Sequence, residues 1–153
     1  GILANKEKFD EVPQNVFRES SRINSTFGGN FIDMMRLKLT LEVIENENLV
    51  ENAKIVGDYL LEKLQKLQAQ FPDQLSNARG RGLMCAIDFP NGEERDAARN
   101  YLYRKNLIIL GCGDQSIRFR PHLNVRKEEI DLAISKFEEM MNDISLKSED
   151  SKI

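Results

Sequence analysis

Ala53, Val56, Leu60, Leu64, Leu67 and Phe71 follow one another at intervals of three or four residues, and Pro72 closes the series. That period lays one apolar stripe along a helix running to Gln70, and such a helix must bury its stripe against a second layer. Proline stops it, because its ring removes a backbone donor and clashes with the preceding turn. A coiled-coil seam is the competing explanation, but the stripe is short and contains Gly57, so packing against a core is expected. Upstream, Phe31 to Glu45 has no Gly or Pro and spaces Ile32, Met35, Leu39 and Val43 by one or two turns, which predicts a preceding helix interrupted at Asn46 to Asn48.

The second half alternates. Leu83 to Phe89 is an apolar strand, Pro90-Asn91-Gly92 a turn, and Glu93 to Lys105 a helix carrying Ala97, Ala98, Tyr101 and Leu102. Leu107 to Leu110 has the composition of a buried strand, Gly111-Cys112-Gly113-Asp114 that of a tight turn, and Ser116 to Arg120 that of the returning strand. A last helix runs from Arg126 to Ile144 with Ile130, Ala133, Ile134, Phe137, Met141 and Ile144 on one face, and a polar tail follows. Residues 1–30 are irregular, with Asn15-Val16-Phe17 a candidate strand. These elements predict an α+β fold in which helices pack on one face of a small sheet, with a long connecting helix on the N-terminal side.

The chain's 153 residues, 41% of them apolar, are enough for one domain with a core. A formal net charge of −3 argues against nucleic acid as a partner. No apolar run, Leu107 to Leu110 included, is long enough for a membrane span, and a cytoplasmic setting is expected. His122 is the only histidine, and Cys85 and Cys112 are isolated, so no zinc ligand set assembles and both thiols are expected to stay reduced. Without Gly-x-Ser-x-Gly there is no nucleophile elbow. The opening Gly1-Ile2-Leu3-Ala4 resembles the end of a buried strand, which suggests that the sequence starts within a longer chain.

Three patches could carry chemistry. Ser20 to Asn30 sets hydroxyls and glycines ahead of a helix N-terminus, where backbone N–H groups and the dipole favour an anion such as phosphate. The plainer account is a helix start capped by Asn30. Arg79-Gly80-Arg81-Gly82-Leu83 could clasp an anion, although a strand-entry turn explains it as well. In Ile117-Arg118-Phe119-Arg120-Pro121, strand alternation puts both Arg side chains on one face and Ile117 and Phe119 on the other. Those cations either pair with acids of neighbouring helices or leave a guanidinium for a substrate carboxylate.

In this order, Asn24-Ser25-Thr26-Phe27-Gly28-Gly29-Asn30, Arg79-Gly80-Arg81-Gly82-Leu83-Met84 and Ile117-Arg118-Phe119-Arg120-Pro121 resemble the C-terminal portion of class III pyridoxal-phosphate aminotransferases, over residues 1–145. The likeness is nearest the bacterial L-lysine 6-aminotransferase branch, with 4-aminobutyrate aminotransferases more distant. It implies the C-terminal part of a fold type I transferase. Residues 1–45 would be the end of the large cofactor domain and its connecting helix, 46–145 the small domain and 146–153 a tail. It further implies that Thr26, beside Ser25, reaches the phosphate of pyridoxal 5'-phosphate in the neighbouring subunit of a homodimer. Arg118 would bind a substrate carboxylate, with Arg120 in support. The family has Pro-Pro after this strand, where this chain has Pro121-His122.

The Schiff-base lysine is expected a few residues upstream of Gly1, because Lys6 and Lys8 do not match it. The implied reaction moves the ε-amino group of lysine to 2-oxoglutarate through a covalent imine, and these 153 residues alone would be inactive. An apolar patch near Phe31 and Met35, covered in the intact enzyme, is expected to be open. The alternatives are a fragment of a 4-aminobutyrate or other ω-amino-acid aminotransferase and, in a different class, a non-catalytic α+β domain holding an acidic ligand on Arg118 and Arg120.

Overall fold

The computed structural model describes residues 4–19 and 25–150, with side chains through 143. The expected strand end at 1–4 and the leading part of the first patch, 20–24, therefore fall largely outside the described residues. Two compact units divide the chain, Gly1–Val43 and Ile44–Ile153.

In the first unit a short helix, α1 (Lys6–Asp10), begins at Asn5, whose side chain accepts from the Lys8 N–H. The strand expected at Asn15-Val16-Phe17 is instead a turn. The Asn15 amide donates to the carbonyls of Phe9 (2.8 Å) and Val12 (3.0 Å), and its oxygen accepts from the Phe17 N–H (3.0 Å). A buried asparagine serving its own backbone in this way competes with any sheet ladder. Phe9 and Phe17 then meet edge to face, 5.1 Å apart. The long helix α2 (Phe31–Asn46) starts where expected, and Asn30 caps it by accepting from the Asp33 N–H at 2.9 Å. No residue of α2 is buried, and Phe31, Ile32, Met35, Leu37 and Leu39 are all exposed.

The second unit runs α3 (Leu49–Gln70), β1 (Ser76–Arg81), β2 (Met84–Asp88), α4 (Gly92–Arg104), β3 (Leu110–Cys112), β4 (Ser116–Phe119) and α5 (Lys127–Asp150). Its sheet has the order β1-β2-β4-β3 and is antiparallel throughout. The stripe read from sequence is buried as expected: Val56, Leu60, Leu64 and Leu67 of α3 join Ala98 and Leu102 of α4 and Ile130, Ile134 and Phe137 of α5. They pack on Cys85 and Ile87 of β2 and Ile117 and Phe119 of β4, so the core helices of this unit share one face of the sheet. Gly57 belongs to this seam. A Cβ built there would lie 2.2 Å from the carbonyl carbon of Gly82, so helix α3 touches the β1–β2 turn backbone to backbone.

Three boundaries differ from expectation, each for a local reason. Strand β1 had no apolar alternation to announce it, being an exposed edge strand rich in Arg and Gly. The turn of its hairpin is Gly82-Leu83, so Arg79 and Arg81 lie within the strand. Leu107 to Ile109 is not ladder. Asn106 adopts φ +59°, and Leu107 N–H donates back to the Leu102 carbonyl at 2.9 Å, a Schellman closure that assigns Leu107 to the exit of α4. Strand β3 therefore begins only at Leu110, takes in Gly111 and Cys112, and turns at Gly113 to Gln115. Finally, α5 continues past Ile144 to Asp150, into the stretch expected to be a polar tail.

Candidate functional site

Ser25 and Thr26 sit on an exposed turn directly ahead of α2, closed by Gly28 N–H donating to the Ser25 carbonyl at 3.1 Å. The turn offers two hydroxyls beside the amino end of a 16-residue helix, a donor set that fits a phosphate. Of the residues named from sequence, this pair belongs to the first unit and Arg118 to the second.

Arg118 lies in the middle of β4, half-buried, paired with Ala86 on one side and Leu110 on the other. Its neighbours Ile117 and Phe119 point into the core, so Arg118 stands on the face turned away from this unit's core, the open face of the sheet. Its Nε is buried without a hydrogen-bond partner. Among the described residues neither Arg118 nor Arg120 makes an ion pair, so the internal salt bridging weighed from sequence does not form. A cavity of about 400 Å³ borders this end of the strand, lined by Leu107, Ile109, Arg118, Arg120, Pro121 and Glu129 among others. The Glu129 carboxylate is already taken by the backbone N–H of Arg126 at 2.9 Å, which holds it below the usual carboxylate range.

Two supports hold this strand. The Arg95 guanidinium of α4 donates to the Gly113 and Ser116 carbonyls, both at 3.3 Å, and lies over Gly111, where a Cβ would come within 2.8 Å of it. Beyond Arg120, the Asn52 amide of α3 donates to the carbonyls of Leu123 (2.7 Å) and Val125 (3.1 Å).

The same open face carries a network that sequence reasoning missed. Asp88, 8% exposed, accepts from Arg79 (2.7 Å), from Asn77 (2.8 Å) and from the Ser116 hydroxyl. Arg79 also donates to Ser116 Oγ at 3.1 Å and to the Asn77 carbonyl at 2.9 Å. Burial pushes the Asp88 carboxyl up, but its three donors, Ser116 foremost, outweigh that and hold it below its ordinary value. A bulge between Ser76 and Arg79, with Asn77 at φ +52°, turns the Asn77 amide onto the carboxylate. One signal was available in sequence: an acid ending the apolar run Cys85-Ala86-Ile87 requires a donor.

Two side chains have other employment. Cys85, behind the sheet, has its thiol raised to about 11 by burial and by the charge of Asp58. His122 contacts Asn124 at 2.8 Å. Among the described residues no cluster of three potential ligands could hold a metal ion, and no helix is long and apolar enough to cross a membrane.

The family described as Aminotransferase class-III matches residues 2–141. The chain belongs to the class-III aminotransferase family. It is 46% identical over 135 residues to the L-lysine-epsilon aminotransferase of Mycobacterium tuberculosis, covering 88% of this chain and 30% of that protein. Against the protein of the same name from Streptomyces clavuligerus it is 44% identical over 83% of this chain and 28% of the relative. A probable mitochondrial 4-aminobutyrate aminotransferase of Caenorhabditis elegans is 38% identical over 75% of this chain and 24% of its own length. Among solved structures, a lysine aminotransferase from M. tuberculosis superposes with a TM-score of 0.78 at 44% identity, covering 88% of this chain and 31% of that one. The chain thus spans about a third of the length of the relatives it matches.

Proposed function

We propose that these 153 residues are the C-terminal part of an L-lysine 6-aminotransferase that passes the ε-amino group of lysine to 2-oxoglutarate. The observation that carries the proposal is Arg118, a guanidinium on a strand face with a buried, unpartnered Nε and no internal carboxylate. A fork of donors left open in this way suits a planar carboxylate ligand. Greater identity to the lysine enzymes than to the 4-aminobutyrate enzyme favours lysine as donor.

Ser25 and Thr26 would hold the phosphate of pyridoxal 5'-phosphate, Thr26 reaching across a homodimer to the neighbouring subunit's cofactor. When bound, the cofactor supplies the electron sink through which an amino group leaves one carbon and joins another. This chain's own contribution is positional. Thr26 fixes one end of the cofactor, and Arg118 fixes the keto acid so that the reacting carbon is presented to it. The proposed division places residues 1–45 with the large domain, 46–145 in the small domain and 146–153 in a tail, in a cytoplasmic enzyme. The lysine that bonds the cofactor is proposed to lie outside these residues, which alone would not transaminate.

The test uses the full-length parent enzyme. In Arg118→Ala the KM for 2-oxoglutarate should rise by about 10- to 100-fold, the worth of a hydrogen bond to a charged group, with cofactor affinity retained. Thr26→Ala should weaken cofactor binding and leave the KM ratio of the two substrates alone. An unchanged keto-acid KM in Arg118→Ala removes that residue from the site.

A further inference from the structure

Across three strands of the open face, Arg79, Ala86 and Arg118 form one lateral row, since Arg79 pairs with Ala86 and Ala86 with Arg118. The adjoining row has Asp88 on the central strand, opposite Ser116. Asp88 is therefore a diagonal neighbour of both arginines, one on each side. Diagonal positions lie roughly 7–8 Å apart, within reach of a side chain as long as arginine's. Ala86 between them has only a methyl group and blocks neither path.

The choice between two equivalent cations is made on one side. Asp88 takes Arg79 at 2.7 Å, with Asn77 and Ser116 completing its shell, and Arg118 is left without an ion pair. The bulge at Ser76–Arg79 helps decide it, because it adds the Asn77 amide on the β1 side. Ser116 closes the β4 side, since its hydroxyl donates to Asp88 and accepts from Arg79.

We infer that Arg79 is a positioning residue for the keto acid: it occupies Asp88 and so keeps the Arg118 guanidinium open for the substrate carboxylate. This rests on the assignment of Arg118 to carboxylate binding. Without the Arg79 charge, Asp88 becomes an internal carboxylate competing with substrate for the same fork.

The experiment is a charge-removal and rescue series in the full-length enzyme. Arg79→Met should raise the KM for 2-oxoglutarate by about tenfold, as one charge-assisted hydrogen bond turns inward, with kcat and cofactor affinity close to wild type. Arg79→Met combined with Asp88→Asn should bring that KM back to within about twofold of wild type, because the competing charge is gone. A purely structural pair would show no such rescue, and its loss would fall on kcat and melting temperature together. If Arg79→Met does not fold, Arg79→Gln, which can still donate to Asp88 without a charge, should move KM in the same direction. Arg118→Ala separates the two ideas. If it leaves the keto-acid KM unchanged, the carboxylate assignment itself is wrong. If it raises KM while the Arg79 variants do not, or while Asp88→Asn fails to rescue, the carboxylate assignment stands and the positioning role of Arg79 is overturned.

Discussion

Gly57→Ala puts the packing of α3 on the β1–β2 turn to a quantitative test. In a free helix this exchange stabilises, by about 1 kcal/mol, since alanine restricts the unfolded chain and suits the helix. Here the added methyl would sit 2.2 Å from the Gly82 carbonyl carbon, 2.3 Å from its oxygen and 2.6 Å from its Cα. All three are backbone atoms, so no rotamer change relieves the contact, and ordinary contact begins only at 3.4 Å. Helix and turn must part by more than 1 Å over buried Val56 and Leu60. Overpacking of this kind costs about 1–3 kcal/mol, and a backbone obstacle belongs at the upper end. The net expectation is a loss of about 2 kcal/mol, the helix gain offsetting part of the strain. With a urea m-value of about 2 kcal/mol/M, the midpoint should fall by roughly 1 M at unchanged m. Gly57→Val should fall further. A Gly57→Ala midpoint equal to or above wild type would refute the close approach of α3 to Gly82.

The buried acid predicts a pH dependence. The Asp88 carboxyl is held below its ordinary value by Ser116, Arg79 and Asn77, so its stabilisation is complete above the ordinary carboxylate range and lost as pH falls through it. The urea midpoint of the wild type should therefore drop more steeply from about pH 5 to 3 than that of Asp88→Asn, and parallel curves would count against the network. Cys85, buried with its thiol raised to about 11, should resist a thiol reagent at neutral pH while the half-buried Cys112 reacts. Equal labelling of both in the native state would contradict that burial. Asn91 caps α4 by accepting from the Glu94 N–H at 2.9 Å and donating to its carboxylate at 2.9 Å, so Asn91→Ala should cost about 1 kcal/mol in the same unfolding assay.

The long helices α2 to α5 were legible, unlike the five-residue α1, because each is a long stretch with spaced apolar residues, and punctuation helps: Pro72 after α3, Asn91 before α4, Asn30 before α2. The short elements were not, because their form depends on partners distant in sequence or on side chains serving the backbone. Strand β1 exists through its pairing with β2, and nothing in Ser76 to Arg81 alternates. The displaced start of β3 comes from Asn106, and the turn replacing a strand at Asn15 comes from that residue's amide. All three described non-glycine residues with positive φ are asparagines, at 48, 77 and 106, which tolerate that region better than other side chains. At the site, the face occupied by Arg118 followed from simple alternation. Its freedom from internal partners did not, because that depends on where Asp88 turns, and a bulge settles that.

Strand β4 divides its labour by parity. Ile117 and Phe119 are buried among the helices, whereas Ser116 and Arg118 stand on the opposite face with Asp88 and Arg79. A one-residue slip in register would exchange the two sets and put a guanidinium into the core, so the placement of Arg118 depends on the same pairing that builds the hydrophobic layer. That pairing is braced from the helical side by Arg95 on the β3–β4 turn, and beyond the strand by Asn52 on the chain after Pro121. Because these braces act on backbone carbonyls, they fix the height of Arg118 on the strand without spending its donors. Among the described residues Arg118 makes no ion pair while Asp88, its diagonal neighbour across β2 and β4, is held by Arg79, and on that observation rests the part proposed for this partly exposed pair in keeping the guanidinium open.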